Sequence, residues 1–207
     1  MKVKNLLPLS AAILCFTLSA CNNADKGSTD KISDSSLSSE SAKAAPESTP
    51  ALVDLLHQAA LDGDLKGVTE ALESGANANG VDEEGRTALM FAAFNGHSEI
   101  VLKILEAEAG IDRRDLMGRT ALLYAATGPF PETVRILLDK GAEANVVDSD
   151  EHFSPLMHAA AEGHLDVVKI LLKGGSDPTL QDVDGDDAAS FARQGGHLEV
   201  AKYLDAL

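Results

Sequence analysis

The stretch with the clearest chemical potential is Asp182-Val183-Asp184-Gly185-Asp186-Asp187, in which acidic side chains alternate with others. Carboxylates at alternate positions are typical of the first half of a calcium-binding loop. Such a loop needs glycine at its sixth position and a bidentate glutamate at its twelfth, where this sequence has Asp187 and Arg193. The spacing therefore disfavours a calcium site, and these acids are better interpreted as turn and helix-cap residues.

The six histidines are the next candidate ligands. Three of them each follow a glycine: His97, His164 and His197. His152 and His158 could share one side of the molecule, so a carrier of a small ligand or cofactor, such as haem or a metal, is the alternative hypothesis for function. Two imidazoles alone make a weak metal site, and we assign no residue to a metal or cofactor.

Motifs for catalysis are missing from residues 51–207. This region has no cysteine, no Gly-Xaa-Ser-Xaa-Gly elbow, no phosphate-binding glycine loop and no His-Glu-Xaa-Xaa-His motif. Without a nucleophile, a metal-ligand set or a phosphate cradle, the sequence predicts a protein that is not an enzyme and has no catalytic residue.

The two cysteines lie near the N-terminus, in a segment with the pattern of a secretion signal. Residues 1–20 begin with two lysines among the first four residues and continue with an apolar run. They are followed by cysteine, and Leu18-Ser19-Ala20-Cys21 resembles the lipobox of bacterial lipoprotein signal peptides. The resemblance implies cleavage before Cys21 and acylation of its thiol, for example with palmitate, which would anchor the protein to a membrane. A secretory signal cut after Ala20, with Cys21 left as a free thiol, is the alternative.

Residues 21–50 are expected to form a disordered, serine-rich linker that is lipid-anchored at its first residue. The segment has almost no bulky apolar side chain and cannot bury enough surface to fold. Asn22 stands where an aspartate is associated with inner-membrane retention in enteric bacteria. The resemblance therefore favours the outer membrane, with the domain of residues 51–207 facing the periplasm.

The net charge of −16 belongs entirely to residues 51–207, because the first 50 residues have five charges of each sign. Such an acidic domain is not expected to bind nucleic acid through phosphate contacts. The charge either serves solubility alone or provides an acidic face for a partner with a basic surface.

Internal repetition determines where every other residue lies. Leu56, Leu89, Leu122, Leu156 and Ala189 occupy one position at spacings of 33, 33, 34 and 33 residues. Two residues before each is a side chain that can cap a helix, so each is predicted to begin one: Asp54, Thr87, Thr120, Ser154 and Asp187. Paired alanines follow in four copies, and a second helical pattern ends at Gly75, Gly141 and Gly175.

These motifs resemble the ankyrin repeat, most clearly in Gly85-Arg86-Thr87-Ala88-Leu89…Ala92-Ala93…Gly96-His97 and in Ser154-Pro155-Leu156-Met157-His158-Ala159-Ala160…Gly163-His164. The resemblance implies an all-α fold, an ankyrin-repeat solenoid of about five helix–turn–helix repeats joined by β-turn or hairpin loops. It also implies that His97, His164 and His197 lie at the start of second helices and make structural hydrogen bonds. The expected repeats are residues 51–80, 81–114, 115–147, 148–181 and 182–207.

Several positions depart from the repeat. Glu108 replaces the glycine that ends a second helix, so we expect that helix end to be reshaped. Residues 127–131 replace a Gly-His pair, and their two prolines are expected to shorten or rotate the link between two helices. One residue is inserted in the turn at 148–152. The last repeat is more polar, as expected of a terminal cap.

The resemblance further implies a concave binding surface lined by the turn tips and the first helices. On it Leu116, Met117 and Phe153 are predicted to be exposed apolar residues among acids, although single exposed apolar residues are also ordinary. Phe91 and Tyr124 are predicted to lie in the core. The candidate protein-binding residues are Glu83, Glu84, Arg86, Phe94, Leu116, Met117, Arg119, Asp150, Glu151, Phe153, Asp184 and Asp186.

The resulting hypothesis is a monomeric, lipid-anchored envelope protein that recognises another protein, in the role of an inhibitor, an immunity partner or a helper.

Overall fold

The computed structural model describes residues 49–207. The predicted signal sequence, the lipidation site Cys21 and all but the end of the predicted linker lie outside the described residues. The described part contains ten α-helices and no strand, which confirms the all-α solenoid. None of these ten helices is long and apolar enough to span a bilayer.

The helices form five pairs along the chain. Their bounds are α1 Pro50–Asp62, α2 Leu65–Glu73, α3 Ala88–Phe94, α4 Ser98–Glu106, α5 Ala121–Ala126, α6 Pro131–Asp139, α7 Pro155–Ala161, α8 Leu165–Lys173, α9 Ala188–Gln194 and α10 Leu198–Leu204. Each pair is one repeat, and a loop that we call a tip joins it to the next. The four tips are residues 82–86, 115–119, 148–153 and 182–186.

The pairs stack into two layers. First helices contact one another in the order α1, α3, α5, α7 and α9, while second helices contact one another in the order α2, α4, α6, α8 and α10. The alanine pairs lie in the first layer and are fully buried in the three central repeats, at Ala92–Ala93, Ala125–Ala126 and Ala159–Ala160. Small side chains let neighbouring helices approach closely, which explains why alanine dominates this layer.

Four of the five predicted helix starts are confirmed. The side-chain oxygens of Thr87, Thr120, Ser154 and Asp187 each accept a hydrogen bond from the backbone N–H three residues later, at 2.8–3.4 Å. The prediction for Asp54 is wrong. The first helix extends back to Pro50 and its cap is Thr49, because proline fits the first turn of a helix.

The ends of the second helices show why glycine recurs there. Gly75, Gly141 and Gly175 have φ of 91–95°, which glycine adopts without a Cβ clash. The expectation that Glu108 reshapes this end is wrong. Glu108 itself adopts the left-handed conformation with φ of 59°, and α4 ends at the same repeat position as the other second helices. The hydrogen bond that closes this turn, from Ala109 N–H to the Ile104 carbonyl, is 3.4 Å long, against 3.0 Å for its equivalent at Ala76.

The third repeat differs in the length of its helix. The expectation that the prolines shorten or rotate its link is wrong for the length, because α5 is six residues long and the link to α6 has gained a residue. A rotation of the link stays a prediction. Phe130 takes the place of the turn histidine, and its ring packs on Gly96 as the ring of His97 packs on Gly63. His97 Nε2 also lies 3.3 Å from the Leu61 carbonyl, which confirms its structural role.

Candidate functional site

An aspartate organises each of the four tips. Asp82 Oδ1 accepts hydrogen bonds from the backbone N–H groups of Glu84 and Arg86 at 3.0 and 2.8 Å. Asp115, Asp148 and Asp182 accept equivalent pairs of backbone N–H groups in their own tips. The carboxylate satisfies donors that a tight turn leaves without a backbone acceptor. These aspartates are absent from the candidate residues, although their recurrence at 33- or 34-residue spacing marked them in the sequence.

Backbone hydrogen bonds connect each tip to the next. Leu116 N–H donates to the Glu84 carbonyl at 3.0 Å, and Ser149 N–H donates to the Met117 carbonyl at 2.8 Å. Val183 N–H donates to the Glu151 carbonyl at 3.1 Å. The four tips therefore form one continuous surface at fixed spacing, which we call the tip surface.

The two tip arginines are drawn inward from this surface. Arg86 Nε donates to Asp82 Oδ2 at 2.7 Å, and its guanidinium lies 5.0 Å from the centre of the Phe91 ring. Arg119 pairs with Asp115 and lies 4.9 Å from the centre of the Tyr124 ring. Each guanidinium is thus held by a carboxylate and by an aromatic face. Arg86 and Arg119 therefore brace their tips and are largely buried.

Tyr124 completes the network of the second tip. Its hydroxyl donates to Asp115 Oδ2 at 2.7 Å, and both residues are buried, which confirms Tyr124 as a core residue. Burial, together with the hydrogen bond to Asp115, raises the pKa of the Tyr124 hydroxyl well above its ordinary value. Phe91 is only half-buried, so its prediction as a core residue is wrong. The candidate Phe94 is half-buried as well and packs edge-on against Tyr124.

The third tip contains the inserted residue, and its geometry differs. His152 has φ of 62°, at the position where the other tips have glycine. Phe153 occupies the arginine position and packs against His158 and Phe191, with ring centres 5.5 and 4.9 Å away. Phe153 is consequently half-buried, and the prediction that it is an exposed anchor is wrong.

His158 lies beneath Phe153 and is 6% exposed. Its Nε2 atom is buried and has no hydrogen-bond partner. Burial and, to a smaller extent, the positive charge of Arg119 together lower the pKa of His158 to about 4, so the ring is neutral at ordinary pH. His152 is exposed on the tip instead. Across residues 49–207, no three acidic, histidine or cysteine side chains are grouped as metal ligands would be.

The exposed part of the tip surface combines acidic and apolar side chains. Leu116 is 75% exposed and Met117 is 43% exposed, as predicted. Val183, which was not among the candidates, is 53% exposed and belongs with them. Five of the acidic candidates are exposed: Glu83, Glu84, Asp150, Glu151 and Asp184. Asp186 is half-buried and accepts a hydrogen bond from Gln194 at 3.0 Å.

Comparison with known proteins places this architecture among repeat proteins. A family model described as "Ankyrin repeats (3 copies)" matches residues 56–148 and 128–205. The chain is 42% identical over 72 residues to the ankyrin repeat and SAM domain-containing protein 6 of Danio rerio, covering 35% of this chain and 10% of that protein. It is 38% identical over 68 residues to the ARF GTPase-activating protein GIT2 of Mus musculus, covering 33% and 10%.

Another relative is the E3 ubiquitin-protein ligase hecd-1 of Caenorhabditis elegans, which is 40% identical over 76 residues, covering 35% of this chain and 3% of that protein. The chain thus spans a tenth or less of the length of these three curated relatives. Each similarity covers about a third of this chain.

Proposed function

The chain belongs to the ankyrin repeat family, and from this premise we propose that it is a non-enzymatic, monomeric module that binds another protein through its tip surface. The observation that carries the proposal is the exposure of Leu116 and Met117, at 75% and 43%, on a rigid edge lined by acids. Apolar side chains that are exposed together and surrounded by polar ones are typical of a protein interface.

The rigidity of the tips supports recognition without rearrangement. Leu116 and Met117 lie between Asp115 and Arg119, which are joined through the side chains and the backbone. Anchors held in this way lose little conformational freedom when a partner docks, so more of the contact energy remains for affinity.

The proposal also includes a location. The lipobox-like sequence supports acylation of Cys21, anchoring at the outer membrane and a domain that faces the periplasm. An inhibitor, an immunity protein or a helper of another envelope protein would all use the same module. Growth of the producing bacterium with labelled palmitate should label the wild-type chain and leave the Cys21→Ser variant unlabelled. An unlabelled wild-type chain would refute the anchor and leave the tip surface unaffected.

Binding is tested by affinity capture from solubilised bacterial envelopes, with three versions of the full-length chain compared by quantitative mass spectrometry. These are the wild type, the double variant Leu116→Ser/Met117→Ser, and the control Leu198→Ser. Leu198 is 71% exposed at the start of α10 and therefore matches Leu116 in chemistry and accessibility, away from the tips.

The expected result is at least one protein that the wild type and the control retain and the double variant loses. Both exposed leucines can be replaced without opening the core, so folding should be equal by circular dichroism. Identical protein sets on all three baits would contradict recognition through the tips.

A further inference from the structure

The side chains of the tip surface follow an alternating order. The tips lie side by side because of the three backbone hydrogen bonds from Leu116, Ser149 and Val183 to the preceding tip. Along this series the exposed side chains are acidic at 83–84, apolar at 116–117, acidic at 150–151, and apolar then acidic at 183–184. The order is therefore acidic, apolar and acidic over the first three tips, and the fourth tip combines apolar Val183 with acidic Asp184.

Positively charged side chains do little to neutralise the exposed acids of the tips. Arg86 and Arg119 point their guanidinium groups at Asp82 and Asp115 and at two aromatic faces, so they are largely withdrawn from solvent. One Arg86 nitrogen also reaches Glu84 at 2.9 Å, while Glu83 beside it adds a further exposed carboxylate. The third and fourth tips contain no lysine or arginine, since residues 141–168 and 174–192 have none. The outward field of the tips is consequently negative, most strongly around Asp150 and Glu151.

The distance between neighbouring tips follows from the packing of the helices. Helices in contact lie roughly 8–10 Å apart. Each tip consists of two chain segments side by side, and at roughly 4.8 Å per segment they give the same distance between neighbouring tips. An extended chain advances roughly 3.3 Å per residue, so it meets one tip for about every three residues.

We propose that the tip surface binds an extended partner segment in which cationic and apolar side chains alternate at every third residue. The cations face tips one and three, and the apolar side chains face Leu116–Met117 and Val183. This inference rests on the proposed protein-binding function and specifies the chemistry of the partner. Charge complementarity gives the specificity for the segment, and the apolar contacts contribute to its affinity.

The test uses fluorescein-labelled synthetic peptides and the full-length chain in a non-ionic detergent, with binding measured by fluorescence anisotropy. The probe has the sequence Lys-Gly-Ser-Leu-Gly-Ser-Lys-Gly-Ser-Leu. One control peptide has the same composition with the two lysines adjacent and the two leucines adjacent. A second control has glutamate in place of lysine. The patterned peptide should bind at least tenfold more tightly than either control, and its affinity should fall as salt is raised.

Variants of the chain locate the effect. Leu116→Ser and Glu151→Lys should each weaken binding of the patterned peptide about fivefold or more. Glu199→Lys changes an exposed acid on α10, outside the tips, and should leave the affinity unchanged. The two tip variants alter exposed side chains, so thermal unfolding should match the wild type.

Equal affinity for the patterned and rearranged peptides, or no measurable binding of the patterned peptide, would overturn the inference. The proposed function is tested separately, by the capture experiment. If captured envelope proteins still depend on Leu116 and Met117 while the peptides show no preference, the tips recognise a protein of other chemistry. If neither assay depends on these residues, both proposals fail.

Discussion

The second and third tips have the same place in the repeat and are held by opposite chemistry. In the second tip a buried carboxylate, Asp115, joins the backbone, a guanidinium and a tyrosine hydroxyl in one polar network. In the third tip the arginine position is taken by Phe153, which packs on two rings, and the nearby His158 Nε2 has no partner. One tip satisfies its buried polar atoms and the other leaves one unsatisfied.

The backbone hydrogen bonds of a tip are kept even where the side chains around the tip change. Asp148 still accepts two backbone N–H groups in the third tip, despite an additional residue and a left-handed histidine. The stability of the second tip should therefore depend on charge, and that of the third tip on apolar packing and on pH.

The largest expected effect comes from removing the carboxylate of the second tip. Asp115→Ala should lower the free energy of unfolding by about 3 kcal/mol, because Arg119 and the Tyr124 hydroxyl are left without a partner in a buried place. Asp148→Ala in the third tip removes two backbone hydrogen bonds at a half-exposed position and should cost about 1 kcal/mol. Urea unfolding followed by circular dichroism measures both, and equal losses would remove the distinction between the tips.

The next effect is a pH dependence that belongs to the third tip. The ordinary pKa of histidine, 6.5, applies in the unfolded chain, while burial lowers that of folded His158 to about 4. Between these values the unfolded state binds more protons than the folded state. The contribution of neutral His158 to stability is therefore fully present above pH 6.5 and is lost as the pH falls towards 4. The loss at pH 4 is on the order of 3 kcal/mol.

The variant His158→Phe isolates this contribution. Phe91 and Phe191 occupy the same repeat position, so the ring should fit. The other ionisable groups, including His57, whose pKa is also lowered chiefly by burial, are the same in both proteins and cancel in the difference. Urea unfolding between pH 4 and 7 should show that the variant loses less stability than the wild type. Parallel curves would mean that His158 is not the buried titrating group.

The smallest effects concern the two left-handed residues that are not glycine. His152→Gly in the third tip and Glu108→Gly after α4 should each raise the free energy of unfolding by about 0.5–1 kcal/mol, because a Cβ is unfavourable at positive φ. Glu106→Gly is the control. It lies two residues earlier, at the last residue of α4, and should cost up to about 1 kcal/mol through lost helix propensity. Thermal unfolding would show whether the first two substitutions raise the stability and the control lowers it.

The sequence was sufficient for the scaffold because each part of it recurs. Caps such as Thr87 and Ser154, the alanine pairs and the terminal glycines all lie where periodicity predicts. The errors at Glu108 and Phe153 fall where a residue departs from the repeat, because local sequence does not show whether the backbone or the side chain adapts. Glu108 keeps the backbone conformation of glycine, and Phe153 turns inward because His158 and Phe191, from two different repeats, offer it a ring on each side. The exposure of Leu116 and Met117 was predictable, since both lie at a tip between residues that fix the turn.

The bonds from Leu116, Ser149 and Val183 to the preceding tips join main-chain atoms only. Mutation can therefore exchange the outward side chains of one tip without disturbing the position of the next, and duplication of a repeat would add a tip already in register. The partner preference of such an edge can evolve one position at a time, because the distances between its contacts are inherited with the backbone.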